Sequence, residues 1–389
     1  MSITTPKGFV AAGLASGIKA SGALDLALLA TEDGKAVPTA ATFTTNLAAA
    51  APVQVSRDHL LATGGRAAAV VVSSGNANAA TGARGKKNAA RMCALVASDL
   101  GVPPDEVLVC STGLISFQLP MEPIEAGLPV LVAARSGSAQ SAKDAATGIL
   151  TTDSGRKEVL VQGSGFAVAG MAKGAGMIAP NMATMLAFLT TDAAVEPGPL
   201  ADLLRIAVED SFNSLTIDGC TSTNDTVILM ASGRAGPADP NEVVDAVTDA
   251  CLDLAGRMAA DAEGASKIAH VRVTGAGSDG QAHQAARKVA ESMLVKCSLN
   301  GADPYWGRIA SDLGSAGVAF DMDKLTIAYG GVVVCRDGVT VDHDQAAVAA
   351  HLAGSTVDIH CDLNLADGNG MAMTVDLGYG YIDENRTTS

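Results

Sequence analysis

Aromatic side chains are scarce here, 3% of the chain with a single tryptophan, so any core must be built from Ala, Val, Leu, Ile and Met. Basic residues are short too: 26 Lys+Arg face 41 Asp+Glu, a formal charge of −15. Such a surface repels polyanions, which argues against nucleic acid and anionic membranes as partners. No uninterrupted apolar run approaches 18 residues, so no membrane-spanning helix is expected. The opening Met1-Ser-Ile-Thr-Thr-Pro-Lys-Gly lacks the basic-then-apolar layout of a signal peptide, and a cytoplasmic location is expected. The seven cysteines never fall in a Cys-x-x-Cys spacing, which argues against a zinc ribbon or redox pair and predicts buried free thiols. The six histidines show no metal spacing, and His343 and His351 read as surface residues; no metal is expected.

What the chain does have is length, small residues and short apolar runs. Its 389 residues, 48% hydrophobic with 42 glycines, suffice for two packed units or one large layered domain. Leu24–Leu29 and Ala40–Thr44 read as strands, and Ala67–Ser73 as a strand buried on both faces. Helices are expected from about Lys87 to Leu100, within 121–148, from Gly198 to Asn213, over Asp344–Ala353, and from Asp239-Pro-Asn-Glu242 to about Ala262. The last of these opens with a capping-box spacing. Further strands are expected at Lys157–Gln162, Phe166–Met171, Val227–Ala231, Ile268–Val273 and Met293–Ser298. Gly275-Ala-Gly-Ser-Asp-Gly280 has the form of a dinucleotide loop. It lacks the surrounding βαβ repeats and the acidic residue after the next strand, so nucleotide binding is rejected.

Four stretches carry chemistry. Lys173-Gly-Ala-Gly-Met-Ile-Ala-Pro-Asn-Met-Ala-Thr-Met-Leu186 combines a cation, two glycines and a proline before Ala183–Thr184. If the Thr184 hydroxyl attacks the Ala183 carbonyl, the amide becomes an ester that water can cut. Thr184 then keeps a hydroxyl beside its own amine, one way of activating a weak nucleophile. Such an amine has a pKa of about 7.7–8.0 and can act as base. The bland alternative is a threonine inside a core strand. Val107-Leu-Val-Cys-Ser-Thr-Gly-Leu-Ile115 ends a buried strand on a hydroxyl and an unobstructed N–H, the parts of an oxyanion hole or of a plain strand end. Ser74-Gly-Asn-Ala-Asn-Ala-Ala-Thr-Gly82 suits substrate contact or loop bracing. Phe212–Thr226 is rich in small polar residues that could be turn formers.

Taken together, Lys173–Leu186, the Ser-Thr-Gly strand end, Gly75-Asn-Ala-Asn78, Thr151-Thr-Asp153, Phe212–Thr226 and Asp303-Pro-Tyr-Trp-Gly-Arg308 resemble the ornithine acetyltransferase family of arginine biosynthesis, in family order and over essentially the whole chain. That resemblance implies a layered α/β fold of α-β-β-α type with mixed sheets. It implies two intertwined fragments, 1–183 and 184–389, forming one catalytic unit, assembled as two alpha and two beta fragments. It implies acetyl transfer from N2-acetyl-L-ornithine to L-glutamate through acetyl-Thr184, after self-cleavage between Ala183 and Thr184. Thr112 and Gly113 would form the oxyanion hole, and Lys173 would take the α-carboxylate. Glu263 would hold the ornithine ammonium, with Thr151 or Thr152, Asn385, and Thr388 or Ser389 closing the site. No cofactor is implied, and acetyl-CoA stays open as a second donor. Three positions depart from the pattern: Ser116 replaces a glycine, Cys220 an aspartate and Tyr305 an asparagine. The closest rival is a related self-cleaving amidohydrolase or aminopeptidase; a rival of another class is an uncleaved binding protein.

Overall fold

The computed structural model describes residues 2–179 and 185–386. One sheet runs Phe9–Leu14, Leu26–Thr31, Ala69–Asn76, Val107–Leu114, with only the last pair parallel. Leu26–Thr31 is buried at every position because alternate side chains enter two cores. Leu26, Leu28 and Ala30 pack under helices Gly82–Leu100 and Met121–Ala133, against Met92, Val96, Ile124 and Leu128. Ala27 and Leu29 turn the other way, toward Met171, Phe188 and Met230 of a second sheet.

That second sheet runs Arg66–Ala67, Val37–Phe43, Thr226–Gly236, Leu186–Ala193, Ala167–Lys173, Lys157–Gln162. Its far face packs on helices Pro197–Asp210 and Pro240–Ala260. The result is the expected stack of helices, sheet, sheet and helices. Strands from either side of the Ala183–Thr184 bond are interlaced within it. Val37–Phe43 pairs with Thr226–Gly236, and Leu186–Ala193 sits between that strand and Ala167–Lys173.

A third, seven-stranded sheet has its own core under helices Asp279–Ala290, Met293–Asn300, Gly307–Gly314 and Gln345–Leu352. Every strand of it follows residue 184, so the interlacing is confined to the first two sheets. The expected strand Met293–Ser298 is instead the start of a helix. Ser292 Oγ caps it at the Val295 N–H, and Val295 and Leu299, one turn apart, are the buried pair. A short apolar run does not distinguish the two periods. The 275–280 glycines serve packing: a side chain at Gly275 would strike Asn364 N at 2.5 Å. Asp239 caps its helix at Asn241 N, but Glu242 reaches Ser164 N and does not complete the box. Five cysteines are buried, whereas Cys220 and Cys297 are exposed, against expectation; all seven are free. Among the described residues no helix is long and apolar enough to cross a membrane, and no His/Cys/Asp/Glu group could hold a metal.

Candidate active site

Strand register sets the site. Lys173, Leu186 and Thr226 lie abreast on three neighbouring strands. Ala183, Thr184, Thr388 and Ser389 lie outside the described residues. The chain resumes at Met185, whose N–H donates to Asp225 Oδ1 at 2.9 Å and whose carbonyl accepts from Thr226 N at 3.2 Å. The segment following the expected nucleophile is therefore held on both sides of one peptide unit.

Lys173 ends its strand only 2% exposed, with Nζ 3.7 Å from Asp153 Oδ2. Burial lowers its pKa, while the Asp153 and Glu263 carboxylates act to raise it. Asp153 also accepts from Lys157 Nζ at 2.7 Å and Gly174 N at 2.6 Å. Burial would raise the Asp153 carboxyl, but the Lys173 and Lys157 charges and these hydrogen bonds outweigh it and hold it at about 2. Lys173 is thus a buried, charge-compensated cation at the strand end.

Glu263 lies just past helix Pro240–Ala260 and gathers distant parts of the chain. Its Oε1 accepts from the Thr152 hydroxyl at 2.7 Å and its Oε2 from Asn385 Nδ2 at 2.9 Å, while its N–H donates to Ala175 O at 2.9 Å. Thr151 contributes its N–H to Asp153 Oδ2 at 3.1 Å, so of the two threonines it is Thr152 whose hydroxyl meets Glu263. Four of the sequence-predicted residues thereby converge: Thr152, Glu263 and Asn385 by hydrogen bonds, and Lys173 by charge.

The strand Val107–Leu114 brings up Thr112 and Gly113. The Thr112 hydroxyl is buried and has no hydrogen-bond partner. Gly113 is exposed, at φ +122, and a Cβ there would lie 2.7 Å from Asn76 N, so only glycine fits. Asn224 Nδ2 donates to Ser111 O at 2.9 Å and Ala77 O at 2.6 Å. It ties the strand end carrying Thr112 to the segment carrying Asp225. Ser116, the departure from glycine, sits at φ +75, a conformation that explains the usual glycine. The Asn76 and Asn78 amides bond backbone carbonyls of Phe117, Gln118 and Gly85, so this loop is braced from within. Arg308 donates to Leu294 O at 2.7 Å and lies over the Tyr305 ring, a structural placement.

Two residues were missed in the sequence. Asp218 accepts from Met177 N at 2.6 Å, Ile178 N at 3.0 Å and the Tyr381 hydroxyl at 3.2 Å, joining the loop after Lys173 to the tail helix Tyr379–Asn385. Asp225 is fully buried directly before the strand Thr226–Gly236. The available signal was an acidic residue abutting an apolar strand, and it was lost among turn-forming neighbours.

The sequence profile of the ArgJ family matches residues 10–387. The chain is 46% identical to the arginine biosynthesis bifunctional protein ArgJ of Mycolicibacterium paratuberculosis, covering 100% of this chain and 96% of that one. It is 43% identical to the Thermobifida fusca protein of the same name, with 100% of both chains covered. Among solved structures, it resembles the ornithine acetyltransferase of Mycobacterium tuberculosis complexed with ornithine, at 43% identity and TM-score 0.44, over 46% of this chain and 94% of that one. On the family match and the full-length relatives, the chain belongs to the ArgJ family.

Proposed function

We propose that this chain is a cytoplasmic acetyltransferase of arginine biosynthesis, moving acetyl from N2-acetyl-L-ornithine to L-glutamate through an ester on Thr184. The observation that carries the reading is the Glu263 cluster. A carboxylate held by Thr152 and Asn385 stands beside the buried Lys173 and the strand that begins just after Thr184. A diamino acid needs an anion for its side-chain ammonium and a cation for its carboxylate; Glu263 and Lys173 are assigned those roles. Self-cleavage yields 1–183 and 184–389, which pair as two alpha and two beta fragments. Thr184 Oγ attacks the acetyl carbonyl, and its own amine takes the proton. Thr112 and Gly113 stabilise the oxyanion, and loss of one such donor typically costs ~10²–10³ in turnover. Ornithine leaves, and the glutamate amine then collects the acetyl group. One amide replaces another, so no ATP or resident cofactor is required, and ping-pong kinetics follow.

N-terminal sequencing of the purified protein should find a second fragment beginning at Thr184, and Thr184→Ala should leave one inactive chain. Active enzyme lacking a threonine terminus would overturn this mechanism. Hydrolysis of acetylornithine that is indifferent to glutamate would identify an amidohydrolase instead. The relatives carry the word bifunctional in their name, and we assign acetyl-CoA as the second donor; forming N-acetylglutamate from acetyl-CoA and glutamate tests it.

A further inference from the structure

Asp225 is 0% exposed, and only one of its two carboxylate oxygens is used. Oδ1 accepts the Met185 N–H at 2.9 Å, whereas Oδ2 is buried without a hydrogen-bond partner. Leaving a buried acceptor empty costs about 1–3 kcal/mol, so it calls for an occupant. Burial raises this carboxyl well above its ordinary range; the Met185 N–H, the Ser222 hydroxyl and the Lys173 charge oppose that rise without cancelling it. The two carboxylate oxygens are joined through one carbon. The amine that cleavage would create on residue 184 lies three covalent bonds from Met185 N, within about 4 Å by standard bond lengths. An acid clasping Met185 N with one oxygen therefore holds the other within reach of that amine.

We propose that Asp225 is a positioning residue for the N-terminal threonine, its Oδ2 accepting an N–H of the α-amino group released at residue 184. In the uncut chain that nitrogen is an amide, and Asp225 is a buried acid without a cationic partner at Oδ2. In the cut enzyme the amine takes up the Thr184 proton during acyl transfer, and Asp225 fixes its lone pair toward Oγ while balancing the ammonium that forms. Lys173 faces the same pocket from the adjacent strand, with Asp153 and Glu263 behind it.

This inference rests on the self-cleaving reading, and its test is separable from it. Co-expressing 1–183 with 184–389, Thr184 already terminal, yields the two-fragment enzyme whether or not the single chain cuts itself. Asp225→Asn keeps an acceptor for Met185 N–H and removes the charge. Expected are a kcat reduced roughly 10- to 100-fold, a KM for N2-acetylornithine changed less than about threefold, and an acid limb of kcat/KM moved to lower pH. Asp225→Glu should restore part of the rate. An unchanged kcat, or a reduced kcat with the limb unmoved, overturns the proposal. If Asp225→Asn does not assemble, infrared difference spectra with carbon-13 aspartate decide the matter without altering Asp225. The protonated-carboxyl band of the uncut Thr184→Ala chain should vanish in the two-fragment enzyme, and its persistence there overturns the proposal.

Discussion

At the scale of single residues, Asp153 is the one whose loss should be felt most widely, because it neutralises both Lys157 and Lys173 in a dry setting. Asp153→Asn leaves buried cations undercompensated and should destabilise the protein by about 3–5 kcal/mol in denaturant titrations. The sign of the pH effect follows from its depressed carboxyl, about 2 against an ordinary 3.8. The stabilisation is complete above the ordinary value and drains away as pH falls through that window, so the variant should lack this part of the acid limb. Glu263 offers a second residue-scale prediction. Glu263→Ala should weaken N2-acetylornithine more than N-acetylglutamate in the reverse reaction, since only the former carries a side-chain ammonium. Equal losses for both would move Glu263 out of the ammonium role. Gly176→Ala probes the same carboxylate without deleting it. A Cβ there would sit 2.6 Å from Glu263 Cδ, forcing the side chain off Thr152 and Asn385. The KM for acetylornithine should rise roughly tenfold, while stability shifts by under about 1 kcal/mol because a flexible side-chain end can give way.

At the scale of elements, the helix Tyr379–Asn385 buries none of its residues and is held by polar and close backbone contacts. Gly264 N donates to Glu384 Oε1 at 3.1 Å, Tyr381 reaches Asp218, and Gly380 packs on Gly264. Gly264 is at φ +64, and a Cβ would collide with the helix backbone. Gly264→Ala should undock the tail, removing Asn385 from Glu263, with a large loss of acetylornithine affinity and only a small change in Tm. Removing residues 379–389 should reproduce that pattern. A drop in Tm of more than about 8 °C for the truncated protein would mean the tail belongs to the core.

At the scale of the whole molecule, the interlaced sheet governs what cleavage can do. Leu186–Ala193 would belong to the second fragment yet is bonded to Ala167–Lys173 of the first, and Thr226–Gly236 is bonded to Val37–Phe43. Separating the fragments would open two ladders of backbone hydrogen bonds and expose the core that includes Met171, Leu186, Phe188, Ile228 and Met230. Cut enzyme should therefore unfold in a transition shared by both fragments, and residues 1–183 expressed alone should fail to give a soluble fold. Independent unfolding of the two fragments would contradict the interlacing.

The sequence by itself determined the layered class, most strands and helices, and the chemistry-bearing motifs. Those are local matters: a continuous apolar run marks a strand covered on both faces, and Ser-Thr-Gly marks a strand end without bulk. It could not distinguish strand from helix at Met293–Asn300, where the apolar run is too short to show its period. Nor could it choose Thr152 over Thr151, or show that Lys173 is buried against Asp153. The tertiary structure alone decided which remote residues meet: Thr152 and Asn385 on Glu263, Asn224 on Ser111, and Asp225 on Met185. The physical reason is that polar pairing across more than a hundred residues is fixed by strand register and sheet stacking. An aspartate in a run of serines and threonines looks the same in sequence whether water or a buried backbone N–H receives it.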